Sequence, residues 1–121
     1  MATYAPTNAT AYELFRSAEQ LYAQAHYRDA ARDLEALLGH EDVAAQNVAA
    51  QYDARLLLAR AYYQSAQLAR AESMARTLWD CHPDDGYVAL LLGRTLQRTG
   101  RSGEAAEWLR RAEALGQQLG R

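Results

Sequence analysis

Small and apolar residues recur along this chain as a block that the sequence contains three times. A shift of 34 residues carries Gly93 to Ala59, and a further shift of 41 carries Ala59 to Ala18. The same two shifts align further small or apolar positions: Leu96 with Tyr62 and Leu21, Gly100 with Ala66 and Ala25, and Ala105 with Ala71 and Ala30. Spacings of three and four place such residues on one face of an α-helix. The pattern predicts a repeated unit of two helices joined by a tight turn.

Start and stop signals divide the chain into six helices. Thr10 and Glu13 have the spacing of a capping box, which marks a helix start. Gly39 can adopt the left-handed conformation that closes a helix, Pro83 prevents continuation of one, and Ser102 can cap the last. The signals predict helices over about 11–24, 27–38, a third ending near 64, 68–81, a fifth that follows Asp84 and Asp85 and lasts to about 99, and 102–119.

These positions resemble the tetratricopeptide repeat family, whose unit is a helix–turn–helix of 34 residues. The motif is Ala59-x-x-Tyr62-x-x-x-Ala66-x-Leu68-x-x-Ala71, and Pro83 closes this unit. The resemblance implies an all-α fold, an α-α superhelix or solenoid of three repeats with six antiparallel helices. The repeats would cover about 11–42, 52–85 and 86–119 of a single domain that spans 1–121.

One departure from the family pattern lies between the first two units. The longer shift there leaves seven extra residues (41 − 34), and we assign the insertion to about 43–51. Seven residues make about two helical turns, so an extension of the third helix would keep its inward face unchanged. A flexible loop is the alternative.

The resemblance implies that the first helix of each unit lines a concave groove that binds a partner protein or peptide. The groove residues would then be Tyr12, Phe15, Glu19, Tyr22, Asp53, Leu56, Arg60, Tyr63, Tyr87, Leu90, Arg94, Gln97 and Arg98. Tyr and Arg are favoured at interfaces, so we expect an extended or helical peptide with an acidic residue near Arg60 and Arg94. In the alternative interpretation, Glu19 pairs with Arg60 and the aromatic residues pack on one another.

The residues present argue against one function found in the family, the binding of acidic chaperone tails. Members that grip acidic chaperone tails carry Asn, Lys or Arg at five inner positions. Here those positions hold Phe15, Glu19, Leu57, Tyr87 and Leu91. The resemblance therefore favours a general adaptor or a co-chaperone-like module that does not bind such tails through these five positions.

Charge argues against nucleic acid as the partner. The net charge is −2, all 13 basic residues are Arg, and no basic cluster exceeds Arg110-Arg111. Nucleic-acid binding needs a dense basic face. No apolar run approaches the roughly 20 residues of a membrane span, and the lone Cys81 suits a reducing compartment. We therefore expect a cytoplasmic protein, and the absence of Lys beside abundant Arg and Ala favours a bacterial source.

The residues also give little support to catalysis. His26, His40 and His82 fall at or near helix ends, and Cys81 precedes His82 in a turn. One Cys-His pair supplies two zinc ligands where four are usual. We expect no enzyme activity, no metal and no cofactor.

The last helix supplies the alternative function, self-association as a structural subunit. Repeat arrays need polar caps, and too few residues remain after the last motif for a capping helix. An exposed apolar stripe would then support a homodimer: Trp108, Leu109, Ala112, Leu115 and Leu119. The competing expectation is that the stems of Arg110 and Arg111 and the folded-back tail cover this stripe.

Overall fold

The computed structural model describes residues 10–39 and 48–120, and in these two stretches the chain forms six α-helices and no strand. The helices are α1 (Ala11–Ala23), α2 (Tyr27–Leu38), α3 (Val48–Gln64), α4 (Leu68–Cys81), α5 (Gly86–Arg98) and α6 (Ser102–Ala114). The all-α prediction is confirmed. None of these helices is both long enough and apolar enough to cross a membrane.

Each helix packs against the next one along the chain, and the first helices of successive pairs also meet, α1 with α3 and α3 with α5. Two hydrophobic clusters result. The first includes Leu14, Leu34 and Leu58, and the second includes Leu92 and Leu96. Helix α3 contributes to both clusters and thereby joins the two ends of the stack. Small residues are fully buried where helices approach closely: Ala18, Ala30, Ala59, Ala71, Ala75, Ala89, Ala105 and Ala112.

The three turns inside the helix pairs have the same backbone geometry. Ala25, Ala66 and Gly100 have φ values of 64°, 63° and 84°, which lie in the left-handed region. In each turn the N–H of this residue donates to the carbonyl three positions back, and the following N–H donates to the carbonyl five positions back. Both bonds define a Schellman closure. The positions aligned by the sequence shifts are therefore equivalent in the backbone.

Gly93 lies where α6 crosses α5. A Cβ at this position would lie 2.6 Å from Cδ2 of Leu109 and 2.8 Å from its Cγ. The absence of a side chain lets Leu109 pack directly against the α5 backbone, so the contact depends on glycine at this position.

Helix starts agree with the sequence signals in two places. The Thr10 hydroxyl accepts from the Glu13 N–H at 3.0 Å, and the Glu13 carboxylate accepts from the Thr10 N–H at 2.9 Å. This is the predicted capping box. The Asp85 carboxylate accepts from the N–H groups of Tyr87 and Val88 and so caps α5. The fourth helix has the predicted bounds.

Three predictions about helix ends are wrong. Gly39 has φ of −83°, because its N–H still donates to the carbonyls of Glu35 and Ala36 in helical geometry. Ser102 does not cap α6, since the left-handed Gly100 puts Arg101 in the capping position, where no side chain caps the helix. Helix α6 ends at Ala114, not near 119, because Gly116 turns left-handed with φ of 96°.

The inserted segment, about 43–51, lies mostly outside the described residues. Helix α3 has 17 residues, whereas α1 and α5 each have 13. The described part of the third helix is therefore longer than its counterparts by four residues, about one turn.

A ring of four charged side chains joins α4 and α6 on the second helices of their pairs. Glu72 bonds Arg76 at 3.0 Å and Arg101 at 2.8 Å, and Glu104 bonds the same two arginines at 2.6 Å and 2.8 Å. The hydrogen bond from Arg76 and then that from Arg101 lower the pKa of the Glu104 carboxyl. Every charge in this ring has a partner of opposite sign.

Candidate functional site

The residues predicted to line a groove all lie on α1, α3 and α5. Six of them surround one recess of about 120 Å³: Tyr22, Arg60, Tyr63, Tyr87, Leu90 and Arg94. Gln64 and Leu91 complete its lining. Leu91 is one of the inner positions that the family resemblance indicated, whereas no sequence signal pointed to Gln64.

The other predicted groove residues lie around this recess or away from it. Tyr12 is 70% exposed and, with Glu19, borders a separate open hollow on α1. Phe15 packs on the first hydrophobic cluster and Leu56 on the second. Asp53, Gln97 and Arg98 are exposed. The recess therefore occupies the part of the wall where all three first helices contribute side chains.

Arg60 occupies the centre of this recess. Its guanidinium carbon lies 4.7 Å from the ring centroid of Tyr22 and 5.9 Å from that of Tyr87, so it sits against two aromatic faces from α1 and α5. Rings hold a cation at this range through their quadrupole. The Arg60 Nε atom is buried and makes no hydrogen bond in the described part of the chain.

The charge on Arg60 is not neutralised within the described residues, because no carboxylate lies within ion-pair distance of it. Glu19, which the alternative interpretation paired with Arg60, bonds Arg16 instead at 3.4 Å. That pairing is wrong, because Glu19 has a neighbour three residues back on its own helix. Burial raises the pKa of the Tyr87 hydroxyl, and the Arg60 charge opposes this rise.

Arg94 and Arg98 are also held by neutral groups. Arg94 donates to the backbone carbonyl of Leu119 and, at 3.2 Å, to the Gln97 side chain. Arg98 donates to the Tyr63 carbonyl at 2.8 Å, and its guanidinium carbon lies 4.7 Å from the Tyr63 ring centroid. Hydrogen bonds to carbonyls fix a guanidinium without cancelling its charge.

The arginines at the recess therefore differ from those of the charged ring. On the second helices, Arg76 and Arg101 are neutralised by glutamates. Within the described residues, the three guanidiniums at and beside the recess have no carboxylate partner, whereas Arg16 on α1 is paired with Glu19. This arrangement leaves three ordered guanidiniums without a carboxylate on the wall, and a guanidinium suits a carboxylate in charge and geometry.

The expected apolar stripe on the last helix is largely covered by the chain itself. Ala112 is fully buried, Trp108 is 8% exposed, and Leu109 lies on Gly93. Trp108 packs edge-on against Trp79 at 5.1 Å between ring centroids, and Arg111 covers its ring at 4.4 Å. Leu119 packs on the second cluster, and of the stripe only Leu115, at 41%, counts as exposed. The chain covers most of this stripe, so only Leu115 remains as the exposed apolar surface that the homodimer prediction assumed.

Among the residues weighed for catalysis, His82 makes a structural contact. His82 packs edge-on against Tyr52 at 4.6 Å, and the Tyr52 hydroxyl donates to Asp85 at 2.6 Å. Cys81 is exposed. In residues 10–39 and 48–120, no three His, Cys, Asp or Glu side chains form a group that could hold a metal ion. His40 lies outside the described residues.

In comparisons with known proteins, the chain matched no protein-family model and no curated protein.

Proposed function

We propose that the chain is a three-unit tetratricopeptide-type module that binds a partner peptide through an acidic residue placed against Arg60. The repeat assignment is supported by the three equivalent left-handed turns at Ala25, Ala66 and Gly100. It is also supported by the contacts of α1 with α3 and of α3 with α5, which would be the inner helices of such a stack.

The observation that carries the functional proposal is the state of Arg60. Its guanidinium is held by Tyr22 and Tyr87, its charge has no carboxylate partner in the described chain, and its buried Nε donor is unsatisfied. An unpaired buried donor is costly, and a ligand carboxylate placed against the guanidinium would compensate its charge. Binding would therefore be favoured because it supplies a partner that the Arg60 guanidinium lacks in the unbound chain.

The size of the recess limits what enters it. About 120 Å³ corresponds to the volume of roughly four water molecules, at about 30 Å³ each in the liquid. This space fits a carboxyl group with one or two methylene groups, which is an Asp or Glu side chain. The half-buried Leu90 and the tyrosine rings provide apolar surface for the neighbouring residues of the peptide.

A random peptide library displayed on phage tests this proposal. Selection against the wild-type protein should enrich peptides with a shared Asp or Glu, and replacing that residue by its amide should weaken binding. Arg60→Gln should weaken the selected peptides by about 10- to 100-fold, the cost of losing a hydrogen bond to a charged group. Arg28→Gln is the matched control, because Arg28 is an exposed arginine on α2.

Two outcomes contradict the proposal. One is enrichment of peptides without a shared acidic residue. The other is equal affinity of the selected peptides for Arg60→Gln and for the wild type. Circular dichroism of each variant separates loss of binding from loss of fold.

A further inference from the structure

A hydrogen bond connects the segment that follows α6, residues 115–120, to a residue that lines the recess. The Leu119 carbonyl accepts a hydrogen bond from Arg94, and Arg94 lines the recess beside Arg60. We infer that this segment is a positioning element of the acid-binding site, because its backbone fixes the second guanidinium of that site. The inference rests on the proposed function.

The segment is docked on the helices by several contacts. Gly116 turns left-handed, and the Gln117 N–H donates to the Ala112 carbonyl at 2.9 Å. The Leu119 side chain packs on the second hydrophobic cluster. A Cβ at Gly86 would lie 3.0 Å from Leu115 Cβ and from Gln117 Cγ, so the bare α5 backbone at Gly86 makes room for the segment.

The bond to Leu119 positions Arg94 without consuming its charge. A guanidinium has five N–H donors, and the contacts to Leu119 and Gln97 each take one hydrogen bond. The remaining donors and the full positive charge stay available to a ligand. Fixing a long side chain in advance removes part of the entropy cost of binding. The segment should therefore strengthen the binding of acidic peptides instead of competing with it.

A matched pair of substitutions tests this inference. Leu119→Ser removes the apolar anchor of the segment, whereas Gln118→Ser changes an exposed neighbour. The probes are the peptide selected on the wild type, its amide-substituted form and an oligoglutamate peptide. Leu119→Ser should lower the affinity for the two acidic probes about three- to tenfold and leave the affinity for the amide form nearly unchanged. Gln118→Ser should change the affinity for none of the probes.

Two further variants separate positioning from a general loss of stability. In Gly86→Ala, the added Cβ displaces the segment at its start, near Leu115 and Gln117. This variant should therefore reproduce the effect of Leu119→Ser. Arg94→Ala should weaken the acidic probes at least as much, and adding Leu119→Ser to it should cause little further loss, because both changes remove the same element.

The outcomes distinguish this inference from the proposed function. Unchanged or increased affinity of the acidic probes for Leu119→Ser overturns the inference alone, and an increase would mean that the segment competes with the ligand. Equal weakening of the acidic and amide probes also overturns it, since that result indicates a general structural role. Failure of the wild type to prefer acidic over amide probes overturns the proposed function, and the inference with it.

Discussion

The turn between α3 and α4 makes a quantitative prediction, because an alanine there has a conformation that suits glycine. Ala66 has φ of 63°, and its counterpart in the last pair is Gly100, with φ of 84°. A left-handed conformation costs an L-residue about 1–2 kcal/mol, and glycine avoids this cost. Ala66→Gly should therefore stabilise the folded chain.

The size of the effect is the difference between two terms. Removing the left-handed strain gains about 1–2 kcal/mol, while the greater freedom of glycine in the unfolded chain costs about 0.4–1 kcal/mol. The net gain should be about 1 kcal/mol, or a rise in melting temperature of roughly 3–6 °C for a domain of this size. The reverse change, Gly100→Ala, should lower stability by a similar amount. A Cβ there meets no atom within 4 Å, so strain is the only cost.

Urea denaturation followed by circular dichroism measures both changes. Ala106→Gly is the control, because Ala106 is exposed inside α6, where glycine should destabilise by about 1 kcal/mol. The same substitution thus has opposite signs at residues 66 and 106. If Ala66→Gly destabilised the chain as much as Ala106→Gly does, the left-handed turn and the equivalence of the three units would both be refuted.

Three other predictions concern packing and charge. Gly93→Ala should destabilise the chain by about 1–3 kcal/mol by clashing with Leu109, and Leu109→Ala should relieve part of that cost in a double-mutant cycle measured by urea denaturation. Because the pKa of Glu104 is lowered, its stabilisation is present above pH about 4.5; the advantage of the wild type over Glu104→Gln should shrink as pH falls below that value in thermal melts. Burial, and then the bond to Asp85, raise the pKa of Tyr52, so above pH about 10 the wild type should lose stability faster than Tyr52→Phe.

Local signals in the sequence predicted most of the helices because each acts over a few residues. The Thr10 capping box and the stop at Pro83 depend on chemistry within one turn of helix. The signals failed where two of them competed within a few residues. Ser102 could have capped α6, but the left-handed Gly100 had already placed Arg101 in that position.

The sequence predicted which helices carry the residues of the candidate site, but not which contacts their side chains make. Helical spacing and the repeat shifts placed Tyr22, Arg60 and Tyr87 on the first helices, and the structure brings them together. The partner of Arg94 is a backbone carbonyl 25 residues away, and no residue type signals such a contact. Burial of Trp108 depends on Trp79 of α4 and on the guanidinium of Arg111, which are packing contacts that the pattern of α6 alone does not contain.

The most direct test of the proposed site is the nuclear magnetic resonance signal of the Arg60 Nε–H group during titration with the selected acidic peptide. The proposal predicts that this signal shifts strongly at saturation, because a carboxylate then lies against the Arg60 guanidinium, while the signal of Arg28 on α2 stays in place. A shift that follows the amide form of the peptide equally well would contradict it. So would a bound peptide whose shifts fall on α2, α4 and α6 and leave Arg60 unchanged.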